Sequence, residues 1–115
     1  MANIKTLSDF HAYFSGVMER ANCHALQVNE VLPLLAGVVL NHVDMKSGLQ
    51  ARTYRGDYAN IAWVVHNGNR YAFTYDHESE QIILRANTLR GIELTRFDNS
   101  DTFSSTTSKI EAKIV

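Results

Sequence analysis

The chain changes from a helical to a strand pattern at Gly48, and this change constrains the fold more than any other feature of the sequence. Three segments rich in β-branched and aromatic residues follow, at residues 49–55, 58–66 and 69–76. They are separated by Gly56-Asp57 and Asn67-Gly68, pairs that suit the type II′ and type I′ turns of two-residue hairpins. The sequence therefore predicts an antiparallel meander in the middle of the chain.

Two further segments continue this meander, at residues 81–85 and 92–97, the first of them after a four-residue loop at residues 77–80. We therefore expect a sheet of five antiparallel strands. Before the sheet, residues 7–21 carry apolar side chains at the spacing of one helical face. Thr6 is the expected N-cap of this first helix.

A second apolar run, residues 26–43, is too long for a strand and contains Pro33. Proline lacks a backbone N–H and clashes with the carbonyl four residues earlier. The second helix therefore either begins near Glu30 or is kinked at Pro33. Residues 103–115 show both helical and alternating patterns, so a helix and a strand both remain open there, and we favour a short helix.

Together these patterns predict one α+β domain over residues 1–115. Two N-terminal helices pack on one face of a five-stranded antiparallel meander, because a sheet must cover its apolar face. The length of 115 residues fits a single domain with one core.

The two-residue turns also set the strand register, and the register decides which side chains share a face of the sheet. One face, the core face, collects Leu49, Ala51, Ala62, Val64, Tyr71, Phe73, Tyr75, Ile82 and Leu84. The opposite face, the outer face, carries an apolar strip with flanking arginines: Ile61, Trp63, Val65 and Ile83 with Arg52, Arg70 and Arg85. Two helices and a short tail are too little to cover both faces. We therefore expect this strip to be exposed, or buried by something outside the first layer.

The outer face carries the leading functional hypothesis. Arg and Trp are enriched at interface hot spots, and Arg can bind a carboxylate or phosphate through two hydrogen bonds. We predict a non-enzymatic binding protein that uses this face for a partner or a small anionic ligand, with a homodimer as the expected assembly. The structural alternative is that arginine stems simply cover apolar strands while their charged groups stay in water.

The alternative function is a small-molecule-binding protein or enzyme with a pocket between the helices and the sheet. Tyr71, Tyr75 and a histidine would supply its polar groups. The five histidines lack the spacing of helical metal ligands, and neither a phosphate-binding loop nor a nucleophile elbow is present. The sequence therefore identifies no catalytic residue, no metal site and no cofactor.

Net charge and cysteine content bear on which classes of partner the protein can bind and on the cellular compartment in which it acts. A net charge of −1 lacks the positive field typical of proteins that bind nucleic acid. The single Cys23 cannot form an internal disulfide, and no apolar run is long enough for a membrane span. We expect a cytoplasmic protein that does not bind membranes. Nucleic-acid binding would need a local basic patch, and the arginines of the outer face are the candidate for that third hypothesis.

Several short runs carry a family resemblance: residues 52–57, Ala59-Asn60, Trp63, residues 67–73 and residues 97–100. In these runs the chain resembles small hypothetical proteins encoded by the mobile gene cassettes of bacterial integrons. The resemblance implies a short cytoplasmic bacterial protein of mobile origin, in a group that is often oligomeric. It carries over no catalytic residue.

Overall fold

The sheet forms because alternating apolar strands, joined by short turns, hydrogen-bond to their neighbours in chain order. The computed structural model describes residues 2–54 and 57–115. Within them, six antiparallel strands form one sheet whose spatial order is the order along the chain. The strands are β1 (Ala2–Ile4), β2 (Leu49–Tyr54), β3 (Asp57–His66), β4 (Asn69–Asp76), β5 (Gln81–Ala86) and β6 (Glu93–Phe97). The predicted meander is confirmed.

Three helices accompany this sheet: α1 (Leu7–His24), α2 (Val31–His42) and α3 (Phe103–Lys113). Buried residues of α1, α2 and α3 form one cluster with the core face of the sheet. All three helices therefore lie on that face. The α+β class, the two N-terminal helices and the short C-terminal helix are confirmed.

The prediction of five strands is wrong by one. Strand β1 adds to the edge of the sheet, where Ala2 lies opposite Ala51 and Ile4 lies opposite Leu49. Three residues are too few to show alternation, and their pairing partner lies more than forty positions away. No local pattern could reveal this strand.

The predicted register is confirmed across β3, β4 and β5. Trp63 lies opposite Ala72, and Phe73 lies opposite both Ala62 and Leu84. Asn67 and Gly68 have φ of 51° and 79°, as the two central residues of a type I′ turn require. This turn therefore sets which side chains reach the core face.

The register between β2 and β3 needs a correction. Ala51 lies opposite Ala62 as predicted, but a bulge follows, and Tyr54 then pairs with Asp57. Asp57 is therefore a strand residue, not the second residue of a Gly56-Asp57 turn. A Gly56-Asp57 turn would place Tyr58 opposite Arg55, but Tyr58 pairs with Thr53. Arg55 and Gly56 lie outside the described residues.

The helix ends follow local chemistry. The Thr6 side chain accepts a hydrogen bond from the Asp9 backbone N–H at 3.0 Å, which confirms it as the N-cap of α1. Helix α2 begins at Val31, so Pro33 lies in the first turn, where its missing N–H has no intrahelical partner to lose. The first of the two alternatives for Pro33 is correct.

Candidate functional site

A cavity of about 360 Å³ lies between α1, α2 and the core face of the sheet. Its wall is mostly aliphatic and aromatic and includes Phe10, Phe14, Val17, Leu32, Leu35, Val39, Met45, Leu49, Val64, Phe73 and Ile82. Cavities of this size and composition are typical of small-molecule sites. This is the predicted pocket between the helices and the sheet.

The cavity exists because α1 packs loosely on the sheet. Only Tyr13 and Ala21 of its 18 residues are buried. Phe10 and Phe14 stack on each other at 5.3 Å between ring centroids, yet both remain half-buried against the core. A helix that filled the space would bury these rings completely. The apolar face of α1 therefore covers a cavity.

Polar groups line part of the cavity wall. Arg20 and His24 come from the last turns of α1, whereas Tyr75 and His77 come from the end of β4 and the loop after it. The rings of Tyr75 and His77 meet edge to face, with centroids 4.8 Å apart. We call these four residues the polar end of the cavity.

Asn99 holds the segment between α1 and α2 in place. Its Oδ1 accepts hydrogen bonds from the backbone N–H groups of Glu30 and Val31, both at 2.9 Å, and so caps α2. Its Nδ2 donates to the Leu26 carbonyl oxygen and to Asn29 Oδ1, also at 2.9 Å. One side chain thus fixes both the end of the linker after α1 and the start of α2.

The same contact explains why the polar end is formed by residues far apart in the chain. Asn99 lies two positions after Phe97, which pairs with Ile82, which in turn pairs with Tyr75. The C-terminal end of α1 is therefore tied to the end of the sheet that carries Tyr75. Sequence analysis missed Asn99, because an Asn in a Ser- and Asp-rich stretch has the composition of an ordinary loop.

The Tyr75 hydroxyl stays protonated at neutral pH. Partial burial, together with the nearby carboxylates of Glu80 and Asp76, raises its pKa above the ordinary value. A protonated phenol can donate a hydrogen bond. Tyr75 therefore presents a donor to the cavity.

The two tyrosines predicted for the pocket have different positions. Tyr75 lines the cavity, but Tyr71 does not. Tyr71 is buried in the core, and its Oη accepts a hydrogen bond from the Val115 backbone N–H at 3.3 Å. Tyr71 therefore anchors the C-terminal segment after α3.

The outer face brings the predicted residues together, but it does not expose the indole. Trp63 is only 3% exposed and Ile83 only 2%. The guanidinium carbons of Arg52 and Arg70 lie 5.6 and 4.7 Å from the centre of the Trp63 ring, within cation–π range. Among the described residues, the Trp63 ring is therefore covered by arginine side chains of the same face.

The remaining members of the outer strip are partly exposed. Val65 is half-buried, as is Ile61, which also contributes to the cavity wall. Arg85 donates a hydrogen bond to the Gly91 carbonyl oxygen at 3.1 Å. The Trp63 Nε1–H is buried and has no hydrogen-bond partner among the described residues. The outer face thus presents both apolar and guanidinium groups to solvent: Arg52 is exposed, and Arg70 and Arg85 are half-buried.

Two kinds of feature are absent from the described part of the chain. No three His, Cys, Asp or Glu side chains there come close enough to hold a metal ion. Among the same residues, α1, α2 and α3 each fall short of the length or apolar content that a membrane-spanning helix needs.

Comparison with known proteins shows which protein family this chain belongs to. A family model described as "Integron cassette protein VCH_CASS1 chain" matches residues 10–106, which include most of α1, all of α2, the strands β2 to β6 and the start of α3. A search of curated proteins gives no match. The family description names no activity. The match covers most of the chain, so the resemblance noted from the sequence is confirmed, and the protein belongs to this integron cassette protein family.

Proposed function

We propose that this protein binds an apolar small molecule in the cavity between α1, α2 and the sheet. One observation carries the proposal: a space of about 360 Å³ has a wall that is mainly aliphatic and aromatic, with a few polar side chains among its lining residues. Small-molecule sites have this character, in which apolar walls supply affinity and a few polar groups orient the ligand.

Elementary energetics favour an occupant. An apolar cavity leaves its lining side chains without contact partners on one side, and water gains little there because it finds few hydrogen-bond partners. A ligand that removes apolar surface from water gains roughly 25 cal/mol for each Å² buried. Filling this cavity therefore stabilises both the ligand and the packing of α1.

The position of α1 also gives the ligand a route to the cavity. Only two of the 18 residues of α1 are buried, against four of the 12 residues of α2, so α1 is held less firmly on the core face than α2. Elements with few buried apolar contacts open at lower free-energy cost than the core. Movement of α1 would widen this route, while α2 and α3 stay packed on each other and on the sheet.

A fluorescence titration tests the proposal. The neutral probe N-phenyl-1-naphthylamine is dim in water and brightens in an apolar site, so wild-type protein should show saturable binding. Ala36 lines the cavity, and Ala36→Phe should fill part of it and weaken probe binding at least about tenfold. Ala12 lies on the exposed side of α1, and Ala12→Phe is the matched control that should leave binding unchanged.

Thermal unfolding provides the second readout. Both variants should remain folded, and saturating probe should raise the melting temperature of the wild type and of Ala12→Phe, since a ligand that binds only the native state stabilises it. Absence of saturable probe binding by the wild type, or equal binding by folded Ala36→Phe, would contradict the proposal.

We further propose that the protein acts in the cytoplasm. Cys23 is exposed and unpaired among the described residues, a state that a reducing compartment preserves. The homodimer predicted for the outer face stays a prediction, which the state of association in solution can decide.

A further inference from the structure

We infer that the natural ligand of this cavity is an apolar acid whose carboxylate is bound at the polar end by Arg20. The inference rests on the proposed function and extends it from an apolar ligand to an amphiphilic one. It begins from the charges of the cavity wall: Arg20 is the one permanently charged side chain among the described lining residues, and no carboxylate lines the cavity.

Arg20 is available for a ligand. It is half-buried on α1, and no described carboxylate lies within ion-pair distance of it. Its Nη1 atom would lie 3.6 Å from a Cβ at Gly16, so the side chain folds back along the helix where Gly16 leaves room. A guanidinium held beside an apolar cavity without a counter-ion favours an anionic partner.

The neighbouring polar groups fit the same ligand. The Tyr75 hydroxyl remains a donor, and His24 and His77 can donate from a ring nitrogen. A carboxylate has two oxygens that accept several hydrogen bonds. Its hydrocarbon part would then extend along the apolar wall toward Met45 and Leu49.

The acidic residues near this end do not compete for Arg20. Asp76 accepts hydrogen bonds from the backbone N–H and hydroxyl of Ser79, and it lies 3.8 Å from Arg96. Glu80 influences Tyr75 electrostatically but is exposed and does not line the cavity. The charge that a ligand meets inside the cavity is therefore that of Arg20.

Competition with a neutral probe separates this inference from the proposed function. Bound N-phenyl-1-naphthylamine is displaced with decanoate and with decanol, which have the same chain length and differ in the head group. At neutral pH decanoate should displace the probe at about tenfold lower concentration than decanol, because a charge-assisted hydrogen bond is stronger than a neutral one. Arg20→Gln should abolish this difference, with a loss of affinity for decanoate about tenfold larger than any change for decanol.

Two variants complete the test. Arg20→Lys keeps the positive charge and should retain part of the preference for decanoate. Arg90 is exposed in the loop between β5 and β6 and does not line the cavity, so Arg90→Gln is the matched control and should behave as wild type. Equal displacement by decanoate and decanol, or a preference that survives Arg20→Gln, would overturn the inference while the proposed function stands. Failure of the probe itself to bind would overturn both.

Discussion

Asn99→Ala should destabilise the protein strongly, although it truncates a single uncharged side chain outside the hydrophobic core. The Asn99 amide forms four hydrogen bonds of 2.9 Å that join the end of β6 to the segment between α1 and α2. Alanine removes all four and leaves the first turn of α2 without a side-chain cap. The change is small in volume, so its effect reports hydrogen bonding rather than packing.

The expected loss of unfolding free energy follows from how exposed each of the four hydrogen bonds is. The bonds to Glu30 N–H and to the Leu26 carbonyl oxygen are exposed, so water can replace them and each contributes about 0.5 kcal/mol. The bonds to Val31 N–H and Asn29 Oδ1 are partly buried and contribute about 1 kcal/mol each. We therefore expect the free energy of unfolding to fall by about 3 kcal/mol, within the range of a strong N-cap loss plus a broken network.

Urea unfolding followed by circular dichroism measures this loss. With a slope of about 2 kcal/mol per molar urea for a domain of this size, the midpoint should fall by about 1.5 M. Asn41→Ala is the matched control, because Asn41 is exposed on α2 and its side chain forms no hydrogen bond among those seen in the described residues; it should change stability by less than about 0.5 kcal/mol. A loss below about 1 kcal/mol in Asn99→Ala would refute the assignment of Asn99 as the anchor of α2.

Three further predictions concern other parts of the fold. Burial disfavours the charge on Asp101, but hydrogen bonds from Lys109 and Ser105 outweigh this effect and lower the Asp101 pKa in the folded protein. The ionised carboxylate therefore stabilises the fold above the pKa of Asp101 in the unfolded chain, and this stability is lost as the pH falls through the pKa in the folded protein. Asp101→Asn should therefore cost about 2 kcal/mol at neutral pH, and the difference from wild type should shrink between about pH 5 and about pH 3 in urea unfolding; a difference that does not change with pH would contradict it. Gly48→Ala should lower the free energy of unfolding by about 3 kcal/mol, because φ is 72° and a Cβ would lie 2.9 Å from the Ile4 carbonyl oxygen. Gly68→Ala, at φ 79° with open space around it, should lower it by about 1 kcal/mol. Equal losses in the two variants would show that the contact with Ile4 does not matter. Self-association through the outer face should appear as a dimer in sedimentation velocity at tens of micromolar, dissociated by Arg52→Glu, and a monomeric wild type would end that hypothesis.

The outer face shows how a correct register can still mislead about exposure. The alternation of side chains placed Trp63 and Ile83 away from the core face, and the observed pairing of β3, β4 and β5 agrees. Their burial, however, depends on where long neighbouring side chains lie. Arg52 and Arg70 can extend into water or fold over the indole, and only the three-dimensional arrangement decides between these conformations.

The sequence by itself determined the features that depend on neighbours in the chain. The type I′ turn at Asn67-Gly68 set the register of β3 and β4, and Thr6 and Pro33 marked the starts of two helices, because turn and cap chemistry acts over a few residues. The short strand β1 and the register shift between β2 and β3 depend on pairing between segments, which no local pattern records.

The candidate site was decided by the tertiary structure. The sequence pointed to a pocket between helices and sheet and to Tyr75, but it could not separate Tyr75 from Tyr71, since both lie on the core face and differ only in what packs against them. In the helical spacing of residues 7–21, Arg20 falls outside the apolar face of α1, so the sequence alone places it in solvent. Its place at the cavity depends on how Asn99 holds the segment that follows this helix. A cavity is the difference between the space that the elements enclose and the volume of the side chains inside it. That difference is settled by the distances between elements, which the order of residues along the chain does not specify.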